Sequence, residues 1–322
     1  MRFWMFLLLP PLISTAGLVP AAEAAPISWA IVGDPGNAAN SDGYGSVSQT
    51  YWISRTEVTN EQYTDFLNRV DPTGTNARAL YSSSMGTATS GGIRFEGSND
   101  PGSRYVIRLD RADWPVNFVT VDDTLRFANW MNNGRGTADT ESGAYDLSSG
   151  GSGPVARSAG ATVFLPSENE WYKAAYFDPI GSAYHLYPGG SGLVMSCSEP
   201  GSGSNSANCD DAVGGPTDVA SYVGSASPYR SFDQGGNVFE WTEGVHGAGL
   251  RVFRGGDWES VPGNLSSAKR FVADPAAEFK GLGFRLGSSV PEPSTGVLLF
   301  AGLGFLGVGR KRAARPFVSG TG

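Results

Sequence analysis

An α+β fold with long irregular loops is what this sequence predicts, on three observations. The 322 residues include 45 glycines and 20 prolines, too many chain breakers for a helical bundle. Three well-signalled helix starts stand among short strand-like runs. No internal repeat and no linker divides residues 26–289, so a single compact domain is the economical organisation. With 40% hydrophobic and 11% aromatic residues, that domain has enough apolar side chain for a sizeable core.

Residues 51–58 read as a strand. Thr59 followed by Gln62 is a capping-box signature, and Tyr63, Phe66, Leu67 and Val70 then line one face of a helix. Thr120 with Asp123 opens a second helix, apolar at Phe127, Trp130 and Met131, with Gly134 as its natural stop. Ser167 with Glu170, directly after Pro166, opens a third that carries Trp171, Ala174 and Ala175. Further strand-like runs cover 161–165, Leu250–Arg254 and 283–286. Between them lie Gly/Ser/Asn-rich loops, the longest at 132–159 and 187–221.

The two ends read as addresses. Arg2, an apolar run from Phe3 to Val19 and a small-x-small site at Ala22-Glu23-Ala24 make up a secretory signal over residues 1–25. At the other end, Pro291-Glu292-Pro293 precedes an apolar stretch from Gly296 to Gly309 and the basic cluster Arg310-Lys311-Arg312. That stretch is shorter than a comfortable bilayer span of ~20 residues, and the basic cluster favours the cytoplasmic side. Setting both ends aside leaves 18 basic and 29 acidic residues, a formal charge of −11. A surface this acidic repels nucleic acid and anionic lipid and attracts divalent cations. Charged residues are only 17% of the chain, which suits an extracellular surface.

The only cysteines, Cys197 and Cys209, sit in a Ser/Gly/Asn-rich stretch, where an exported protein can close a short disulfide loop. Their spacing excludes a CxxC redox or zinc site. With only His185 and His246, a histidine-rich metal centre is not expected.

Six short motifs occur in a fixed order: Glu57-Val58-Thr59-Asn60-Glu61-Gln62-Tyr63, Trp114-Pro115-Val116-Asn117 leading to Asn129-Trp130, Leu165-Pro166-Ser167-Glu168-Asn169-Glu170-Trp171, Gly236-Asn237-Val238-Phe239-Glu240-Trp241, Arg254-Gly255-Gly256-Asp257-Trp258, and Gly283-Phe284-Arg285. In this order they resemble the formylglycine-generating-enzyme, or sulfatase-modifying-factor, family along nearly the whole of 26–289. The resemblance implies a loop-rich α+β fold related to C-type lectins. The tail over residues 290–315 resembles the PEP-CTERM sorting signal, which an exosortase recognises and removes in Gram-negative bacteria that make extracellular polysaccharide.

Family members that make formylglycine use two cysteines and copper(I), a soft ion that requires thiolate. Those positions fall on Ser260 and Leu265, and a hydroxyl and an isobutyl group cannot replace two thiolates. The resemblance therefore implies no catalytic residues here, and copper is not expected. Relatives that make ergothioneine-type sulfoxides hold iron on histidines of an extra domain, which this chain lacks. What the resemblance does imply is calcium. Asp233, Gly236, Val238 and Glu240 match a family loop that wraps this ion with side-chain and main-chain oxygens. Asn208 and Asp211 fall near a second such site, with altered spacing. The competing reading pairs Glu240 with a buried arginine, Arg254 or Arg285.

Arg254, Arg270 and Arg285 read either as holders of an anionic ligand or as structural partners of Glu170 and Glu240. Trp258 and Tyr229, taken as exposed, read either as sugar-stacking platforms or as core. The leading expectation is an exported, non-catalytic, calcium-stabilised domain that binds extracellular polysaccharide or a surface protein at the cell envelope, outer surface or matrix. Its partners would be the exosortase during sorting, the membrane only through the unprocessed tail, and no nucleic acid. The alternative is a family enzyme using another centre, for which Asp257, Glu259, Ser260 and the arginines are the available groups.

Overall fold

The computed structural model describes residues 25–137, 139–150 and 154–290. The leader and the sorting residues Pro291, Glu292, Pro293, Arg310, Lys311 and Arg312 lie outside the described residues. Among the described residues no helix is long and apolar enough to cross a membrane.

The chain begins with β1 (Trp29–Val32), β2 (Tyr51–Ser54), α1 (Asn60–Val70), α2 (Ser83–Thr87), β3 (Ile93–Phe95) and β4 (Tyr105–Ile107). It continues through α3 (Val121–Asn132), β5 (Val163–Phe164), α4 (Glu168–Tyr176), β6 (Phe177–Asp178) and β7 (Ala183–Tyr184). The last part holds β8 (Ser196–Cys197), β9 (Ser206–Ala207), β10 (Phe239–His246), β11 (Leu250–Arg254), β12 (Phe271–Ala273), β13 (Leu282–Phe284) and β14 (Gly287–Ser289). Two four-stranded sheets form the frame, in the orders β1-β2-β14-β5 and β12-β11-β10-β13.

All three expected capping boxes form. Thr59, Thr120 and Ser167 each accept from the backbone three residues on, and Gln62, Asp123 and Glu170 each return a bond to the cap backbone. Two otherwise orphaned donors are satisfied at each helix start. Gly134 stops α3 as expected, with φ +83° and its N–H on the Met131 carbonyl. The expected strand Leu250–Arg254 forms in full as β11, whereas those over 51–58 and 161–165 are shorter than expected. β2 ends at Ser54 because Arg55–Glu57 turn towards α1, and of the expected strand over 283–286 only 283–284 lies in a strand, β13, with β14 starting after it at Gly287. Arg285 lies between the two, and its main chain leaves one sheet for the other.

The main core forms where α1 and α3 meet the sheet carrying β10 and β13. Phe127 stacks on Tyr63 at 5.8 Å and meets Phe66 and Phe284 edge-on at 5.2 and 5.3 Å. Trp130 and Trp241 are fully buried beside them, and the Trp241 indole donates to the Val119 carbonyl at 3.0 Å. Edge-on aromatic pairs add to the stabilisation from area burial alone. The helices thus fix β10 and β13, the strands that carry the buried charges described next.

Because the Ser167 cap also orders Glu170, Ser167→Ala is expected to cost about 1 kcal/mol. That corresponds to a melting temperature lower by about 2–4 °C for a domain of this size, measurable by calorimetry; an unchanged value would show the box to be dispensable.

Candidate functional site

Three clusters of buried charge surround α4 and the β10–β11 hairpin. At the first, Glu240 on β10 and Arg285 after β13 are both completely buried. The Arg285 Nη2 and Nε donate to Glu240 Oε1 and Oε2 at 2.7 and 2.5 Å, and Nη1 and Nη2 also reach the carbonyls of Ser54 and Phe232. The Trp171 indole also donates to Oε2, at 2.6 Å. Of the two readings of Glu240, the pairing with Arg285 is present in the structure.

Two more carboxylates crowd this pair. Glu57 accepts from the Asn237 amide at 3.2 Å through one oxygen, and its other oxygen is buried with no partner. Asp233 accepts from the Ala220 N–H at 2.6 Å. Burial pushes the Asp233 carboxyl up to about 6, with Glu240 adding to the rise. Burial and then the charge of Asp233 raise Glu57 well above the usual carboxylate range. Three carboxylates facing one guanidinium leave a negative excess that protons or a cation must offset.

At the second cluster, Glu168 at the start of α4 binds two arginines. Arg254 Nη2 reaches it at 2.7 Å and Arg270 Nε at 2.8 Å. Arg254 also lies over the rings of Tyr44 and Tyr172. At the third, Arg157 bridges Glu170 at 2.6 Å and Glu243 at 2.8 Å while covering Phe164. Of the reading that paired Arg254, Arg270 and Arg285 with Glu170 or Glu240, Arg285 with Glu240 is found, while Glu170 is held by Arg157 and Glu168 takes Arg254 and Arg270. Both glutamates follow the Ser167 cap, but only Glu170 completes the box, which leaves Glu168 for the neighbouring sheet.

The Gly255-Gly256 turn leads into Ser260 and Leu265, on which the resemblance placed the family's cysteine positions. Gly256 has φ +81°, and a Cβ there would meet the Leu265 side chain at 2.8 Å. Ser260 Oγ donates to Asp257 Oδ1 at 2.7 Å and accepts from the Asp257 N–H at 3.1 Å, closing a local turn. Leu265 is fully buried against Tyr187, Met195, Ala207 and Cys209. Cys197 and Cys209 are joined in a disulfide, which packs on Leu265. The two cysteines lie far from Leu265 in sequence, but the fold brings them beside it. Trp258, taken as exposed from sequence, is 2% exposed and is no platform for a sugar, because its backbone is pinned by Asn237 and Asp211. Tyr229 is half-buried and donates to Asp34.

The residues expected to hold calcium divide into two places. Asp233, Gly236, Val238 and Glu240 occupy one continuous loop and strand start, beside the unpartnered oxygen of Glu57. Gly236, at φ +90°, lets the chain run so close to Asn208 that a Cβ would clash with its carbonyl. Asn208 is buried with its Oδ1 unpartnered, while Asp211 is exposed. Among the described residues no three carboxylate, imidazole or thiolate side chains converge as a metal cluster. A hard cation here would therefore draw on main-chain carbonyls as well as on Asp233 and Glu240. The negative excess and the orphaned oxygens fit such an ion. Sequence reasoning missed Glu57 beside these residues; its place in the first of the six motifs, just before the capped helix, was the available signal.

The chain belongs to the family of sulfatase-modifying factor enzyme 1-like domains, whose model matches residues 36–289. It also carries a PEP-CTERM protein-sorting motif at residues 289–313, which marks it for exosortase-mediated sorting to the bacterial cell envelope. A hercynine oxygenase of Mycolicibacterium smegmatis is 30% identical over 138 residues, covering 36% of this chain. The chain matches only 30% of that relative's length. Among solved structures, Treponema denticola variable protein 1 is 18% identical with a TM-score of 0.50, covering 82% of this chain and 95% of that one. That likeness shows the fold alone. The crystal structure of CarF aligns over 83% of this chain and 99% of its own at 22% identity, with a TM-score of 0.49.

Two outcomes are expected from this geometry. Arg285→Met removes the one cation from among three carboxylates and should destabilise the protein by about 3–5 kcal/mol. The double variant Arg285→Met/Glu240→Met should recover part of that loss in urea titrations. In metal-free protein the folded state holds a proton on Asp233 between about pH 4 and 6 that the unfolded chain has released. Stability should therefore fall as pH rises through that window. Asp233→Asn should flatten the slope, and an unchanged slope would assign it elsewhere.

Proposed function

We propose that this is a non-catalytic surface or matrix domain, held together in part by calcium, that binds extracellular polysaccharide or a surface protein after sorting. The observation that carries this reading is the fate of the two positions corresponding to the family's cysteines. Ser260 is spent on a turn with Asp257, and Leu265 is spent on packing against the disulfide. Neither supplies the thiolate on which copper(I) chemistry depends. Sorting to the envelope supplies the setting, and the acidic surface supports divalent-cation dependence.

Calcium would be held by Asp233 and Glu240 with the carbonyls of Gly236 and Val238, and by Asn208 and Asp211 at a second position. A bound divalent cation would stabilise the ionised form of Asp233 and Glu57 and so offset their mutual repulsion. The outer surface of a Gram-negative cell, or its polysaccharide matrix, is the proposed location.

The test is retention of the exported protein on its host's own polysaccharide, with calcium and with chelator. Calcium-dependent retention, weakened in Glu240→Gln, is expected. Calcium should also raise the melting temperature at pH 7 and remove the pH slope set by Asp233. No retention in either condition would defeat the polysaccharide reading. A cysteine peptide turned to an aldehyde by the protein with copper would defeat the non-catalytic one.

A further inference from the structure

An open cavity of about 640 Å3 lies between the loop over residues 34–41 and the β6–β7 hairpin. None of its lining residues is among those at Ser260, at Leu265 or at the expected calcium positions.

The loop that forms one wall is fixed from behind. Lys173 on α4 is fully buried, and its ammonium donates to the Gly33 and Asp34 carbonyls at 2.6 and 2.7 Å. Asn37 donates to the Gly45 carbonyl at 2.9 Å and to the Tyr184 hydroxyl at 2.6 Å, and Asn40 donates to the Tyr172 hydroxyl at 2.6 Å. Burying an ammonium is costly, and what this one secures is the position of the loop at Asp34. A loop ordered in advance reduces the entropy that a ligand must overcome on binding.

The polar groups left over are of one kind. Asp34 accepts the Tyr229 hydroxyl through Oδ2 at 3.0 Å, and its Oδ1 has no hydrogen-bond partner among the described residues. The same holds for the hydroxyls of Ser41 and Ser182, which stand on opposite walls. Asn40, with one amide hydrogen on Tyr172, has a second to give. Phe177 and Tyr184, edge-on at 5.0 Å, add aromatic surface to the hairpin wall.

This set selects a ligand class. Among the described residues no cationic side chain lines the cavity, so an anion would find no counter-charge and would meet the Asp34 carboxylate. One carboxylate is too few for a hard metal ion, and an amine would use Asp34 while leaving the hydroxyls idle. Ligand hydroxyls fit the whole set. A carboxylate accepts from two neighbouring hydroxyls, and serine and amide groups complete the bonding. The apolar face of a sugar ring suits the aromatic wall, and the volume suits a small ligand. We infer that this cavity binds a neutral sugar residue through hydroxyls on Asp34, and that it discriminates against uronic acids. The inference rests on the reading of the chain as a polysaccharide binder and names the sugar class which that reading leaves open.

Titration calorimetry of the exported protein in calcium-containing buffer tests it. Maltotriose, cellotriose and laminaritriose serve as neutral probes, with trigalacturonate and trialanine for comparison. At least one neutral trisaccharide should bind about tenfold more tightly than trigalacturonate. Asp34→Asn keeps a side chain that tolerates the left-handed backbone found there, at φ +54°. It should weaken the neutral sugar about tenfold, the worth of one charge-assisted hydrogen bond, and lose the discrimination against trigalacturonate. Ala39→Trp, at an exposed lining position, should abolish sugar binding without lowering the melting temperature. Trigalacturonate or trialanine binding as tightly as the neutral sugars would overturn the inference. So would unaltered binding in Asp34→Asn, or no trisaccharide bound by folded wild type that is still retained on its host's polysaccharide; the polysaccharide reading would then stand alone. Equal retention of wild type and folded Ala39→Trp would likewise place the sugar site elsewhere. Wild type that neither binds a trisaccharide nor is retained would defeat both readings.

Discussion

The fold depends on the ion pair between Glu240 and Arg285. These two residues tie the end of one sheet to the start of the other, and each nitrogen of Arg285 and both oxygens of Glu240 are hydrogen-bonded. Arg285 bonds to the Ser54 carbonyl at the end of β2 and to the Phe232 carbonyl in the loop before β10. A fully buried pair is weak as a source of net stability, because desolvation cancels most of its attraction. Its value is in geometry: once the charges are buried, only one arrangement of β10, β13 and α4 satisfies them. The Trp171 indole, which reaches Glu240 from α4, joins the helix to the same arrangement.

The other charge clusters extend this logic. Glu168 and Glu170 are two residues apart on one helical turn, yet one reaches towards Arg254 and Arg270 and the other towards Arg157. Carboxylates in the first turn of α4 are also favoured by the helix dipole. The loops that connect the sheets are long and rich in glycine, so their position is set by such pairs and by short hydrogen-bonded turns. That is how a domain with little regular structure holds a defined surface.

Much of the frame was legible in the sequence because it rests on local rules. A capping box is decided within four residues, so Thr59, Thr120 and Ser167 announced their helices without any knowledge of the fold. The order of the six motifs carried the architecture. The site was legible only in part, because its contacts are long-range. The capping box ties Glu170 to Ser167, but nothing local names Arg254, 86 residues away, as the partner of Glu168. The approach of Cys209 to Leu265 and the burial of Trp258 depend on how the loop over 187–221 folds back, and its composition is silent on that.

The sheet order β1-β2-β14-β5 has a mechanical consequence. β14 is the last strand before the sorting segment, and it is flanked by β2 on one side and β5 on the other. A pull applied through the residues after Val290 loads an interior strand along its length, with both ladders resisting in shear, instead of peeling an edge strand away one bond at a time. Arg285, two residues before β14 and bonded to Glu240, passes the load to the second sheet. A domain handled by its carboxyl end is therefore gripped at the place where its two sheets are joined.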